Sequence, residues 1–397
     1  MEALWRSFAQ LRSLLINALS QHDAPSLTPT LRERILKFVR VHIVTIIAFI
    51  AASVSFLFSP AVSWWQAIDW TTLNLLFCLM VVVAGMRECS LFRTLAARLL
   101  KGRRHYRALA HALVQLTFWL SMLVTNDVAL IALTPFAIFL LDQLNLRDRI
   151  PGLIVLQTIA ANLGSMATPV GNPQNLFLYT AYALSPMDFF AAMLPISIAG
   201  AVLLIVTTHF VKDAPLAPFT TPDLPPMPRK IWAYVTLFAL CLASVFRVVP
   251  GWITFAVVTL GALGCGGKAL KRVDYALLVT FICFFVFSGN LAQIEAIRTF
   301  FAGLLTHHTQ ATATIVSQFL SNVPAAILLE PFTANWKALL IGVDIGGFGT
   351  LVASLASLIS FGIYLKEADA KPLRYVWHFT VLNLLFVLFL SLCSRFC

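Results

Sequence analysis

Charge is what this chain has least of. Only 11% of its 397 residues are charged, and just 17 are Asp or Glu, where an ordinary soluble domain carries about 25% charged residues. Hydrophobic residues make up 59%, with 32 Phe and 9 Trp among them. No soluble fold of this length has the interior to hide so much apolar surface. A soluble enzyme, a disordered chain and a nucleic-acid binder are therefore excluded. Catalytic signatures are missing too: there is no His-Glu-x-x-His, no Gly-x-Ser-x-Gly and no Gly-x-x-x-x-Gly-Lys-Ser/Thr. The last absence argues against ATP-driven transport by this chain alone, and the three together against an enzyme. No Cys-x-x-Cys pair occurs. Cys78, Cys89, Cys241, Cys265, Cys283, Cys393 and Cys397 mostly sit in apolar stretches and read as reduced core thiols. His307 and His308 are adjacent, so they occupy different helix faces and do not make a shared metal site. Residues 1–20 lack the unbroken apolar run of a signal peptide.

What the chain does have is a series of apolar runs of roughly 20 residues, the length a helix needs to cross about 30 Å of hydrocarbon. A transmembrane barrel would instead alternate polar and apolar residues in segments of about ten. An all-α polytopic membrane protein is expected. Spans are predicted over 42–60, 70–86, 151–180, 188–211, 232–247, 250–265, 275–290, 338–361 and 375–393. The apolar regions 106–141 and 299–332 carry polar residues near their middles and read as hairpins that enter and leave on one side. With the N-terminus in the cytoplasm, this layout puts 24 of the 28 Lys and Arg inside, leaving Arg247, Arg298, Lys337 and Arg395 outside. That is a strong positive-inside bias. Residues 1–41 form a cytoplasmic or interfacial segment. Its Trp5, Phe8, Leu11, Leu15 and Leu19 recur at helical spacing, on the membrane surface or docked on the protein's own body. Trp64, Trp65 and Trp70 read as interfacial anchors.

An internal repeat underlies the layout. Thr125-Asn-Asp-Val-Ala-Leu-Ile-Ala-Leu-Thr-Pro-Phe136 aligns without a gap on Ser321-Asn-Val-Pro-Ala-Ala-Ile-Leu-Leu-Glu-Pro-Phe332. Asn162-Leu-Gly-Ser-Met-Ala-Thr-Pro-Val170 aligns on Asp344-Ile-Gly-Gly-Phe-Gly-Thr-Leu-Val352. Ala84-Gly85 and Ser288-Gly289 close the helix ahead of each hairpin. The first repeat covers 42–211 (hairpin 106–141, broken helix 151–180), and 212–231 is a cytoplasmic linker. The second repeat covers 232–397 (hairpin 299–332, broken helix 338–361). The two run in opposite directions through the membrane. Inverted repeats mark secondary transporters, with the site near the midplane where the repeats meet.

The chemistry follows from what hydrocarbon denies. A backbone leaves helical geometry inside a membrane only where protein or water serves its polar groups. The segment Gly164–Asn175 carries Pro169 and Pro173, each without an amide donor, and reads as a broken helix. The segment Gly342–Thr350, with four Gly and Asp344, reads the same way. Broken helices present N–H groups to anions and C=O groups to cations. The tips Thr125-Asn126 and Ser321-Asn322 add short polar side chains, and tips meeting breaks would make a polar chamber. Carboxylates at that depth are usually functional. Asp127 reads either as a cation or proton site or as a helix cap. Asp344 reads either as such a site or as a loop residue near the outer surface. Glu330 is placed near the outer boundary.

These four blocks resemble the ion transporter superfamily, which includes arsenite permeases, NhaD-type sodium–proton antiporters, citrate transporters and divalent-anion:sodium symporters. The likeness is strongest to the arsenite-permease/NhaD branch and its small bacterial anion permeases, and covers about residues 40–393. The resemblance implies two re-entrant hairpins, a scaffold that forms a homodimer, and a transport domain that moves as an elevator. It implies substrate contacts from Thr125, Asn126, Ser321, Asn322, Thr168, Pro169, Asn175 and Thr350. Cation coupling would fall to Asp127, Asn162, Gly164, Asp344, Gly346 and Gly347, with Na⁺ expected at Asn162/Gly164 and at Asp344/Gly346. One departure bears on the cargo: the dicarboxylate symporters carry Ser-Asn-Thr at both tips, whereas here the tips are Thr125-Asn126-Asp127 and Ser321-Asn322-Val323. The expected function is secondary transport of a small anion coupled to Na⁺ or H⁺, in a bacterial inner membrane and with no other cofactor. A sodium–proton antiporter and an arsenite-type efflux permease are the alternatives.

Overall fold

The computed structural model describes residues 43–58, 64–100, 104–216 and 227–396. The expected N-terminal amphipathic helix lies outside the described residues, as do positions 217–226 of the expected linker. Within them the chain forms seventeen α-helices and no strand, as its composition requires. The first half holds α1 (Ile43–Phe58), a single turn α2 (Trp64–Ala67), α3 (Trp70–Glu88), α4 (Leu91–Leu100), α5 (Tyr106–Leu123), α6 (Asn126–Gln143), α7 (Ile150–Met166), α8 (Pro173–Ala181) and α9 (Pro186–His209). The second holds α10 (Ile231–Val245), α11 (Gly251–Gly264), α12 (Tyr275–Leu291), α13 (Glu295–Leu320), α14 (Asn322–Leu329), α15 (Trp336–Gly346), α16 (Leu355–Tyr364) and α17 (Pro372–Cys393).

Local chemistry sets several boundaries. Asp69 starts α3 by accepting from the Thr72 amide at 3.0 Å, and Asp274 starts α12 through the Leu277 amide. Ser185 and Asp188 form a capping box ahead of α9. By length and composition, α3, α6, α9 and α17 can each cross a membrane alone. The runs predicted as spans over 151–180 and 338–361 are each divided in two, as α7 with α8 and α15 with α16. Between α12 and α13 the chain bends by 99°. Helix α13 itself leaves helical geometry at His308 (φ −132°), so its first part and its last turns before Ser321 point differently.

Residues from Ala48 onward pack as one unit. Helix α7 lies against α5, α9 and α17, α15 lies against α13, and α3 lies against α10 and α11. Contact between the α5–α6–α7 group and α16 and α17 interlocks the two halves of the sequence. The outward surface is apolar: Trp232, Trp252, Phe319, Trp377 and Leu388 are largely exposed. A surface of that kind is stable against lipid and not against water. Trp64, Trp65 and Trp70 are also exposed, with Trp65 meeting Trp64 edge to face and Trp70 at a tilt. The six described cysteines are unpaired thiols, four of them buried. At the start of α5, His105 and the Arg107 amide both meet the Asp213 carboxylate, which clasps this end of the hairpin to the segment after α9. The Arg107 amide holds that half-buried carboxyl below the usual carboxylate range.

Close helix approach in a membrane depends on small residues. A Cβ on Gly164 would lie 2.1 Å from the Phe118 carbonyl of α5, a backbone atom that cannot rotate aside. A Cβ on Gly152, in the same helix, would meet nothing within 4 Å. Gly164→Ala is expected to destabilise by about 1–3 kcal/mol through overpacking, whereas Gly152→Ala is neutral or slightly stabilising. Thermal melts of the two variants in one detergent check this; equal melting points would contradict the packing.

Candidate transport site

Two helix breaks and two hairpin tips converge in the interior. The first break, Ala167–Asn172, separates α7 from α8, and the second, Gly347–Ser354, separates α15 from α16. Asn172 caps α8 by accepting from the Asn175 amide, and Pro173 follows at the first helical position. That pairing makes α8 restart where α7 stopped. The tips are Thr125, between α5 and α6, and Ser321, between α13 and α14. Ser321 has φ +73°, a left-handed conformation that L residues avoid and that clusters at functional sites.

Each break is held by the other. Asn162, on α7, donates from Nδ2 to the carbonyl of Gly347 in the second break at 3.2 Å. Its Oδ1 accepts from Asn126 Nδ2 at 3.1 Å and from Ser354 Oγ at 3.2 Å. One buried amide thus joins the first tip, the second break and the start of α16. In the opposite sense, Asp344 on α15 accepts at Oδ1 from Asn172 Nδ2 (3.2 Å) and Gln174 Nε2 (2.9 Å), which belong to the first break and to α8. Asn172 Nδ2 also reaches Ser165 Oγ at 3.2 Å. Asn162 and Asp344 are aligned positions of the repeat, and both are at least 95% buried.

The remaining candidates fall into three groups. Asn126, Asn162, Asp344 and Gly347 form the centre just described. A Cβ on Gly347 would come 2.9 Å from Asn322 Nδ2, so Asn322 from the second tip packs against the same centre. A second group is occupied in bracing. The Asn175 amide donates to the carbonyls of Ser165, Met166 and Thr168 at 3.2–3.3 Å, stitching α8 onto the end of α7. Thr168 Oγ1 bonds the Met122 carbonyl at 2.6 Å. Gly164 and Gly346 pack on α5 and on Ser317, and Pro169 is buried in the first break. Thr350 is exposed and held by Gln318, which receives its amide and its hydroxyl. The third group lies at the tips: Thr125 and Ser321, half-buried, and Asp127. The Asp127 amide bonds Asn126 Oδ1 at 2.9 Å, while its own Oδ1 is buried with no partner among the described residues. Asp127 is therefore not a cap for α6. Asp344 is not a surface-loop residue.

Several residues were not singled out from the sequence. Asn172, Gln174 and Ser165 surround the Asp344 carboxylate, Ser354 completes Asn162, and Gln318 braces the second break by donating to the carbonyls of Gly346 and Phe348 at 2.9 Å. The Asn-Pro pair at 172–173 was a readable cap signal. Nothing in the sequence marked Gln318 or Ser354. Around Asp344 three oxygens lack any donor among the described residues: Asp344 Oδ2, Gln174 Oε1 and Asn175 Oδ1. Buried acceptors without donors are costly, and a bound cation or a proton would satisfy them.

A buried polar cluster joining two helix breaks, inside an apolar helical shell, is the arrangement expected of a membrane transporter. Residues 33–346 match the CitMHS family, described as citrate transporter, and the chain belongs to that family. It is 34% identical over 311 residues to an uncharacterized transporter, MJ0456, of Methanocaldococcus jannaschii, covering 78% of this chain and 84% of that one. It is 30% identical over 341 residues to the inner membrane protein YbiR of Escherichia coli, covering 84% and 89%. A shorter match of 37% over 136 residues joins it to the silicon efflux transporter LSI3 of rice, Oryza sativa, covering 34% and 28%. Among solved structures the fold resembles the YdaH transporter of Alcanivorax borkumensis, with a TM-score of 0.51 at 16% identity over 99% of this chain and 97% of that one.

Gln174→Leu removes one of the two amides that hold Asp344 and is expected to cost about 1–3 kcal/mol, as for a buried charged group losing a donor. Gln174→Glu, by setting a second carboxyl beside the first, is expected to destabilise more. Melting in detergent at neutral pH reads both; a Leu variant as stable as the wild type would contradict the geometry.

Proposed function

We propose that the chain is a secondary active transporter of a small anion, coupled to Na⁺ or H⁺. The observation that carries this reading is the reciprocal hold between the breaks: Asn162 on the Gly347 carbonyl, Asp344 on Asn172 and Gln174. The chamber so formed offers helix N-termini at Asn126, Pro173 and Asn322 to an anion. It offers Asp344 and the carbonyls of the breaks to a cation. None of the candidate residues at the tips and breaks is Lys or Arg, so a co-bound cation would supply the positive charge. The names of the family and of one relative, citrate and silicon transporters, fit a cargo of small oxygen-rich anions or acids. The opposite course of the two repeats, a homodimeric scaffold and an elevator displacement of the chamber complete the proposal. A bacterial inner membrane with the N-terminus in the cytoplasm agrees with the distribution of basic residues.

Sodium–proton exchange is the second reading, favoured by the three unpartnered oxygens around Asp344. Arsenite-type efflux differs only in cargo. The test is purified protein in liposomes, with charge movement and uptake recorded after a Na⁺ jump or a pH jump, each with and without a panel of small anions. Flux that requires one anion together with one of the two cations is expected. Asp344→Asn is expected to lower it at least about tenfold, as for a lost charged contact of about 1.4 kcal/mol or more. Cation exchange with no anion requirement would replace the symport reading by the antiporter.

A further inference from the structure

Two cavities outside the chamber occupy matching places in the two repeats. The first has a volume of about 400 Å³ and is lined by Arg87 and Glu88 at the end of α3, Arg93 of α4, Ile131 and Pro135 of α6, and Arg272 just ahead of α12. The second, about 230 Å³, is lined by Asp69 just ahead of α3, Ser288 and Gly289 at the end of α12, and Ile327, Glu330 and Pro331. The repeat alignment pairs Ile131 with Ile327 and Pro135 with Pro331, and it pairs the ends of α3 and α12. The two spaces are thus one architectural feature that occurs twice. Their net charges are opposite: three arginines against one carboxylate, Glu88, line the first, and two carboxylates, Asp69 and Glu330, line the second.

The first cavity is the one with unused positive charge. Among the described residues, none of Arg87, Arg93 and Arg272 has a hydrogen bond or an ion pair from its guanidinium. Glu88, also in the lining, is engaged at Oε1 by Lys230, whose Nζ lies 2.9 Å away, while its Oε2 is buried with no partner among the described residues. Arg87 and Arg272 lie within electrostatic reach of each other, so their charges repel until an anion screens them. Guanidinium groups are planar forks that match carboxylate and phosphate oxygens. Helix α6 links the cavity lining to the first tip. Asp127, Ile131 and Pro135 are spaced four residues apart on α6 and so share one face. From Ile131 to Asp127, at the tip of the hairpin, that face runs for about 6 Å along the helix axis.

We propose that the cavity bounded by Arg87, Arg93 and Arg272 is an anion port, which binds an oxyanion group before it passes along α6 to the chamber. The proposal rests on the anion reading of the chamber and adds the place and residues of capture. The acidic twin at Asp69 and Glu330 offers no such attraction for anions, so the two cavities are electrostatically unlike. A phospholipid headgroup offers the same phosphate chemistry and is the other source of an oxyanion at this depth.

The test begins with binding alone. Wild-type protein in uncharged detergent is titrated with inorganic phosphate and with citrate, beside the double variants Arg87→Gln/Arg272→Gln and Arg87→Lys/Arg272→Lys and the control Lys366→Gln. The port predicts that at least one probe binds the wild type, that affinity falls at least about tenfold in the Gln variant, in line with loss of charge-assisted contacts, and that it falls less in the Lys variant. Lys366→Gln is expected to bind as the wild type. The Lys variant keeps the charge count, so its loss relative to wild type does not reflect misinsertion. No binding by the wild type, or equal binding by the Gln variant, would overturn the port. A melting shift seen only in vesicles containing phosphatidylglycerol, and not with free phosphate or citrate, would also overturn it and assign the cavity to lipid. In liposomes the Gln variant should raise KM for the anion and leave the maximal rate near wild type. Binding without flux would sink the transport reading and leave the port. Flux whose KM is unchanged by the Gln variant would sink the port alone.

Discussion

Polar backbone has nowhere to go in hydrocarbon, and the chain resolves this by letting two broken helices serve each other. Asn162 reaches across to the Gly347 carbonyl, and Asp344 reaches back to Asn172 and Gln174. A single interhelical hydrogen bond inside a membrane is worth about 0.6 kcal/mol on average. The value of this set is geometric: each break would be untenable alone, and each supplies the groups that the other leaves open. Around it the chain uses small residues, so that α7 touches the backbone of α5, and amide braces at Asn175 and Gln318 that tie off stray carbonyls.

The same arrangement explains where charge is allowed. Carboxylates are few, and those at depth are concentrated near the chamber and the tips. Asp344 has two amide donors on one oxygen and none on the other. A group half satisfied by the protein can respond to a cation or a proton, whereas one fully bonded would be inert. The tips differ in kind: Asp127 brings an open carboxylate oxygen, while Ser321 brings a strained backbone. The two tips, aligned in sequence, are thus unequal in chemistry, and the cavities beside Ile131 and Ile327 differ in net charge as well.

Much of this was legible in the sequence because the membrane punishes ambiguity. An apolar run of about 20 residues means a helix, and Pro, Gly and Asn inside one mean a break. The all-α fold and the two breaks follow from that alone, and Asn162 and Asp344 follow as candidates from the repeat alignment and the resemblance. The partners of those residues do not. Gln318 and Ser354 are ordinary polar residues by pattern, and they matter because distant helices bring them to a carbonyl or an amide. The sequence does not show that the Asn175 Nδ2 is committed to carbonyls at the end of α7, leaving only its Oδ1 open beside Asp344. The bend at 292–294 and the kink at His308 have no Pro or Gly to announce them.

If the two breaks form one ion-coupled chamber, their key residues act as a unit, and groups that act as a unit are non-additive. The most direct measurement is cation-driven flux in liposomes for Asn162→Ala, Asp344→Asn and the double variant, at matched protein content. One chamber predicts that the double variant is scarcely worse than the more damaged single variant. Losses that multiply, as for two independent sites, would contradict it.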